Sequence, residues 1–169
     1  MRHILSVLVN DQPRVLARVA NLLGRRNFNI ESISVGESEE PGLSRMVIVT
    51  TGDERTMEQV QKQLHKVIDV IKVQDLSQHS AVERELLLVK VGAGPADRME
   101  IGGIIEPFRA SVVDVGPQSL MIQATGERSK LDALLELLHP YGIKEIARTG
   151  VTALSRGASK AGTAVLAGG

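Results

Sequence analysis

The residues best suited to chemistry lie in the turn at 10–16, Asn10-Asp11-Gln12-Pro13-Arg14-Val15-Leu16, and in the pair Asn29-Ile30. Val15, Leu16, Val19, Leu22 and Leu23 recur at helical spacing, so the turn feeds a helix, and Pro13 suits its first position. A helix start offers N–H groups with no intrahelical acceptor and the positive end of a dipole. Here those are the amides of Arg14, Val15 and Leu16, which can hold a carboxylate. Asp11, just before the helix, can neutralise an ammonium. Asn29 offers both a donor and an acceptor, and Ile30 can line an apolar wall. Together they describe a site for an aliphatic amino acid. The same residues also read as a plain helix cap (Asp11) and a turn residue (Asn29), and on generic grounds that second reading is the commoner one.

Nothing else nominates an active site. His3, His65, His79 and His139 do not pair with one another or with a carboxylate at ligand spacing, so each reads as a surface or turn residue and no metal site is expected. The absence of cysteine excludes disulfides and thiolate metal ligands. Gly92-Ala93-Gly94 lacks the third glycine and the Lys-Ser/Thr that a phosphate cradle needs, and there is no nucleophile elbow. Twenty basic residues balance twenty acidic ones, which argues against a nucleic-acid or membrane-surface binder. The aromatic residues, Phe28, Phe108 and Tyr141, are too few for a stacking platform. No apolar run approaches the roughly 20 residues of a membrane span. The apolar stretch at 4–9 is too short for a signal-peptide core. A cytoplasmic protein is therefore expected.

The elements that must position the turn repeat along the chain. Residues 4–9 read as a strand, followed by the first helix. Arg25 and Arg26 close that helix, and Asn27 is its left-handed stop. Ile30, Ile33 and Val35 mark a second strand whose spacing implies a bulge. Met46, Ile48 and Thr50 alternate with Val47 and Val49 in a strand covered on both faces. Met57, Val60, Leu64 and Val67 give a second amphipathic helix, and 70–73 a fourth strand. This is the βαββαβ, ferredoxin-like order. After a polar break the order restarts. A strand at 86–91 is followed by a helix at 98–108, which Gly102, Gly103 and Pro107 weaken. A hairpin about Gly116-Pro117 and a helix with Leu131, Leu134, Leu135 and Leu138 come next, then short closing strands at 144–147 and 151–154. The expected organisation is α+β: two ferredoxin-like βαββαβ domains in tandem at 1–76 and 83–157, a linker at 77–82, and a flexible tail at 158–169. Units of this size are marginal alone and leave edge strands open, so edge-to-edge pairing is expected.

The strings 4–13 and 15–19 resemble an ACT domain. Phe28-Asn29-Ile30-Glu31-Ser32-Ile33-Ser34-Val35, Leu43-Ser44-Arg45-Met46, the run 58–66, Val82-Glu83-Arg84-Glu85-Leu86, the run 145–150 and Leu154-Ser155-Arg156-Gly157 narrow this. They are similar to the small, regulatory subunits of acetolactate synthase (acetohydroxyacid synthase), over about residues 2–157. The resemblance implies an N-terminal ACT domain and a C-terminal ACT-like domain with no catalytic centre and no cofactor in this chain. It implies a catalytic large subunit that carries thiamine diphosphate, magnesium and FAD. That subunit would be stimulated and made sensitive to feedback, usually by valine, in branched-chain amino-acid synthesis. It also implies a homodimer through the ACT domains, with the effector held between the turn of one protomer and the Asn-Ile pair of the other. On this chain those places are Asp11, Arg14, Val15, Leu16, Asn29 and Ile30. One departure stands out: the family usually has glycine where this chain has Arg14, which lets the backbone approach the effector closely.

Overall fold

The computed structural model describes residues 1–157; the expected tail at 158–169 lies outside the described residues. The chain forms two units: Met1–Val82 together with the stretch from Val151, and Glu83–Gly150.

In the first unit, β1 (Arg2–Asn10), α1 (Val15–Arg25), β2 (Asn29–Glu37), β3 (Leu43–Thr51), α2 (Glu54–His65) and β4 (Val70–Asp75) follow the expected order. They make an antiparallel sheet ordered β2-β3-β1-β4. Leu5, Val7 and Val9 alternate onto the helix-facing side of β1. They meet Val15, Val19 and Leu23 of α1 and Met57, Val60 and Leu64 of α2 in one core. Asn27 does stop α1 in the left-handed region, at φ 57°. Phe28 N–H donates to the Leu23 carbonyl and Asn27 N–H to that of Gly24, the paired bonds of a Schellman cap, and Phe28 packs against the core that holds Leu23. The bulge in β2 falls between Ile30 and Ser32. Asp53 caps α2 by accepting from Thr56 N–H at 2.7 Å.

The outer face of this sheet is also covered. Ile4, Val47 and Val49 point away from the helices and are buried against Leu76, Val151 and Ala153. Ser34 Oγ donates to the Val151 carbonyl at 3.0 Å, and Val151 N–H reaches Ser32 Oγ at 3.4 Å. The strand expected to close the second domain at 151–154 is β9 (Thr152–Ser155), and from Val151 the chain packs with the first unit instead. The reason is that β3 is apolar on both faces, and only one of them meets helices. β5 (Ala81–Gly92) begins within the first unit; β9 pairs with it, and Arg156 N–H donates to the Ser80 carbonyl.

The second unit places β5 in a sheet of order β6-β7-β5-β8, with β6 (Ser111–Gly116), β7 (Ser119–Gly126) and β8 (Ile143–Arg148). α3 (Arg98–Ile105) and α4 (Arg128–Leu138) cover one face. The weakened first helix does stop short: Glu106–Phe108 is a 3₁₀ turn with Pro107 inside it. Leu87, Val89, Ile101, Ile122, Leu131, Leu134 and Leu138 form the core. Arg148 donates to both carboxylate oxygens of Glu85, at 2.8 and 3.0 Å, and to Asp132 at 2.7 Å. The hydrogen bonds Arg148 donates to Glu85, first, and to Asp132 hold the guanidinium still more firmly protonated, against the opposing effect of burial. Glu85 is buried, so removing its charge deprives Arg148 of its two-point carboxylate partner. Glu85→Gln is expected to lower stability by about 2 kcal/mol, read as a lower urea midpoint at unchanged slope.

Candidate functional site

The turn between β1 and α1 is built by backbone constraints. Asn10 N–H donates to the Asp69 carbonyl and Asp11 N–H to that of Gly42, both at 2.8 Å, pinning the end of β1 to the neighbouring loops. Gly42 takes φ 82°, and its part in holding the turn has no counterpart in the sequence pattern, where it reads only as a loop residue. Pro13 is not the first helical residue. Arg14 at φ 75°, ψ −5° occupies the third position of a type II turn closed by Val15 N–H to the Gln12 carbonyl at 3.4 Å, and the helix starts only after it. A left-handed residue cannot belong to a right-handed helix, which is why α1 begins at Val15.

Asp11 does not cap α1. The N-cap is Arg14, it makes no side-chain cap bond, and the first turn carries no acid. The start of α1 therefore has no side-chain acceptor of its own, and the exposed Asp11 carboxylate has no partner among the described residues. Asn29 is not a turn residue but the first residue of β2; its Nδ2 donates weakly to Thr51 Oγ1 at 3.4 Å, and its carbonyl accepts from Thr50 Oγ1 at 2.6 Å. Val15 is buried in the core, so its part in the site is its amide, which a ligand would have to draw away from the long 3.4 Å bond to the Gln12 carbonyl, whereas Leu16 is about half exposed.

Within one chain these residues form two groups. Asp11, Arg14, Val15 and Leu16 lie beyond Asn10, which pairs with Leu43. Asn29 pairs with Thr51, which on its other side pairs with Arg2. The two groups sit at opposite ends of nine-residue strands, about 27 Å apart at the rise of an antiparallel strand. β2, which carries Asn29 and Ile30, is an edge strand.

A second polar cluster escaped the sequence reading. His3 is not a surface residue: it is fully buried, with Nε2 3.2 Å from the Gly52 carbonyl and Nδ1 3.5 Å from Asp75 Oδ2. A carbonyl can only accept, so Nε2 is the protonated nitrogen there. The partners are 49 and 72 residues away in sequence, beyond any spacing rule. They close the sheet end beside α2, in a groove of about 340 Å³ that also touches Glu54, Glu58 and His65. Among the described residues no group of three or more His, Cys, Asp or Glu is arranged to hold a metal ion, and no helix is long and apolar enough to cross a membrane. Gly92 serves packing: a Cβ there would meet the Tyr141 carbonyl at 2.8 Å.

A βαββαβ unit with a pinned strand-to-helix turn and an open helix start is the build of an ACT-type regulatory module. The family model for the ACT domain of acetohydroxyacid synthase small subunits matches residues 5–72, and the model for the small subunit of acetolactate synthase matches 84–157. The acetolactate synthase small subunit of Bacillus subtilis is 53% identical over 158 residues, covering 93% of this chain and 92% of its own. That of Mycolicibacterium smegmatis is 50% identical over 162 residues, covering 96% and 95%. The crystal structure of the small subunit from Thermotoga maritima, 46% identical, superposes with a TM-score of 0.85 over 92% of this chain and 98% of that one. The chain belongs to the acetolactate synthase small-subunit family, as a regulatory subunit with an ACT domain.

Arg14 occupies a backbone conformation that costs a residue with a side chain roughly 1–2 kcal/mol and costs glycine little. Arg14→Gly is therefore expected to raise the unfolding free energy by about 1 kcal/mol. Urea denaturation would read this as a higher midpoint; an unchanged or lower one would mean that the turn is not strained.

Proposed function

We propose that this chain senses a branched-chain amino acid, valine first among them, and sets the activity of a separate catalytic large subunit of acetolactate synthase in branched-chain amino-acid synthesis. That partner would carry thiamine diphosphate, magnesium and FAD, and the complex would work in the cytoplasm. On this reading the first unit is the effector domain, and 77–82 leads from it into an ACT-like second domain at 83–150.

The observation that carries the reading is the separation of the two groups across one sheet, with one of them on an open edge strand. If β2 pairs antiparallel with β2 of a second copy, the Asn29 end of one strand faces the Glu37 end of the other. In the first unit Glu37 pairs with Ser44, next to the Leu43–Asn10 pair that leads into the turn. A two-fold dimer thus unites Asp11, Arg14 and the amides of Val15 and Leu16 from one protomer with Asn29 and Ile30 from its partner, twice per dimer. The same pairing satisfies the unpaired backbone of an edge strand. The amides would take the effector's carboxylate, Asp11 its ammonium, and Ile30 its side chain. Arg14 adds a cation at the mouth, where it either pairs with the carboxylate or narrows the pocket. Control then follows from differential affinity of the effector for two states of the complex. A coupling of about 1–3 kcal/mol gives roughly 5–150-fold effects.

Isothermal titration of valine, leucine and isoleucine into the purified chain tests this. At least one is expected to bind saturably, with one site per chain, and Asn29→Ala is expected to weaken it about tenfold or more. Silence from all three would refute the effector assignment. If Arg14→Gly then restored binding, crowding by Arg14 would be the cause.

A further inference from the structure

The groove between α1 and the end of α2 is lined by Arg18, Asn21, Leu22, Arg25, Arg26, Gln63, Val67 and Ile68, with a volume of about 440 Å³. Arg18, Leu22 and Arg25 fall at i, i+4 and i+7, so they form one stripe along α1. No acidic residue occurs anywhere in α1, and none lines the groove. Arg18 is held at the rim by Asp69, 2.7 Å away. Arg25 and Arg26 have no carboxylate within ion-pair distance among the described residues. In a chain of zero net charge this is a local excess of positive charge.

Ile68 adds an independent observation. It is 90% exposed, more than any other large apolar side chain among the described residues. It stands in the turn between α2 and β4, a place where glycine, asparagine or aspartate would serve the backbone better. It therefore contributes nothing to its own unit's core. With half-buried Leu22 and Val67 beside it, it makes an apolar centre ringed by arginines, the composition that dominates the energetics of protein interfaces.

We propose that this groove is the docking surface for the catalytic large subunit, and that it receives an acidic segment bearing an apolar side chain. The inference rests on the regulatory reading and assigns residues to its partner contact. Acidic side chains would pair with Arg25 and Arg26, and the apolar one would cover Ile68. A nucleic acid is a poorer occupant: the groove has no aromatic residue for a base to stack on, and Ile68 would be left against phosphate.

The test is reconstitution of the full chain with its own large subunit, following stimulation of acetolactate formation against small-subunit concentration. Ile68→Asp and the double variant Arg25→Glu, Arg26→Glu are each expected to raise the half-saturating concentration about tenfold. Potassium chloride should raise it for the unaltered chain, and less so for the double variant. Met99→Asp, at a similarly exposed apolar position on α3, should behave as the unaltered chain. Circular dichroism melting confirms that each variant folds. Half-saturation within twofold of the unaltered chain for both groove variants overturns the proposal. So does an equal effect of Met99→Asp, or a loss of self-association by the groove variants in the absence of the large subunit. If the unaltered chain fails to stimulate the large subunit at all, the regulatory reading falls, which is a different result from failure of the groove variants alone.

Discussion

The first unit depends on one constraint: β3 is apolar on both faces. Met46 and Ile48 enter the core under the helices, while Val47 and Val49 point the other way and must also leave water. Burying a valine is worth roughly 1.5 kcal/mol or more, so an uncovered pair would cost a sizeable part of the stability of so small a unit. The helices are already committed to the first face. Cover for the second comes from Leu76, just after β4, and from Val151 and Ala153, which arrive from far along the chain. The return of the chain to its first unit is thus a consequence of the pattern in β3, and Ser32 and Ser34 fix where Val151 lands.

This also marks the limit of reading by pattern. Alternation in residues 46–50 is local, and from it the double coverage of β3 was legible. What would do the covering was not, because period-two and period-3.6 signals carry no information on partners a hundred residues apart. The same reason hid His3, whose neighbours Gly52 and Asp75 stand just after β3 and at the end of β4. The left-handed residue at Asn27 was legible because asparagine is one of the few side chains that tolerate that conformation. Arg14 adopts it too, and no propensity announces that an arginine will do so. The sequence pattern consequently places the helix start two residues early, at Pro13 rather than Val15. Of the candidate site, the residue types were legible, and the division into two groups was not. Only the strand register places Asn29 and Asp11 at opposite ends of the sheet.

That register is what turns a list of suitable residues into a statement about assembly. A site split between the two ends of one sheet cannot close on a small ligand within a single chain. It closes if the edge strand β2 meets its own copy in antiparallel register, since a two-fold axis exchanges the ends. The bulge between Ile30 and Ser32 matters in this light. It separates the part of β2 that carries Asn29 and Ile30, the pair proposed to face the effector, from the part whose serines hold Val151, so the two can have different orientations on one strand.

The two proposals meet on α1. Its first turn is the expected carboxylate receptor, and its last turn carries the arginines of the expected docking groove. Eleven residues at 1.5 Å each make a rod of about 16 Å, short enough to move as a unit. Its start is defined by a turn held by Gly42 and by the strained Arg14, and its end by the Schellman cap at Asn27, both of them backbone devices rather than side-chain packing. Between them Val15, Val19 and Leu23 rest on a sheet face in the shared core. A ligand that draws the helix start toward its carboxylate would therefore move Arg25 and Arg26 along with it. By linkage, a partner that fixes those arginines must alter the affinity at the other end by the same factor.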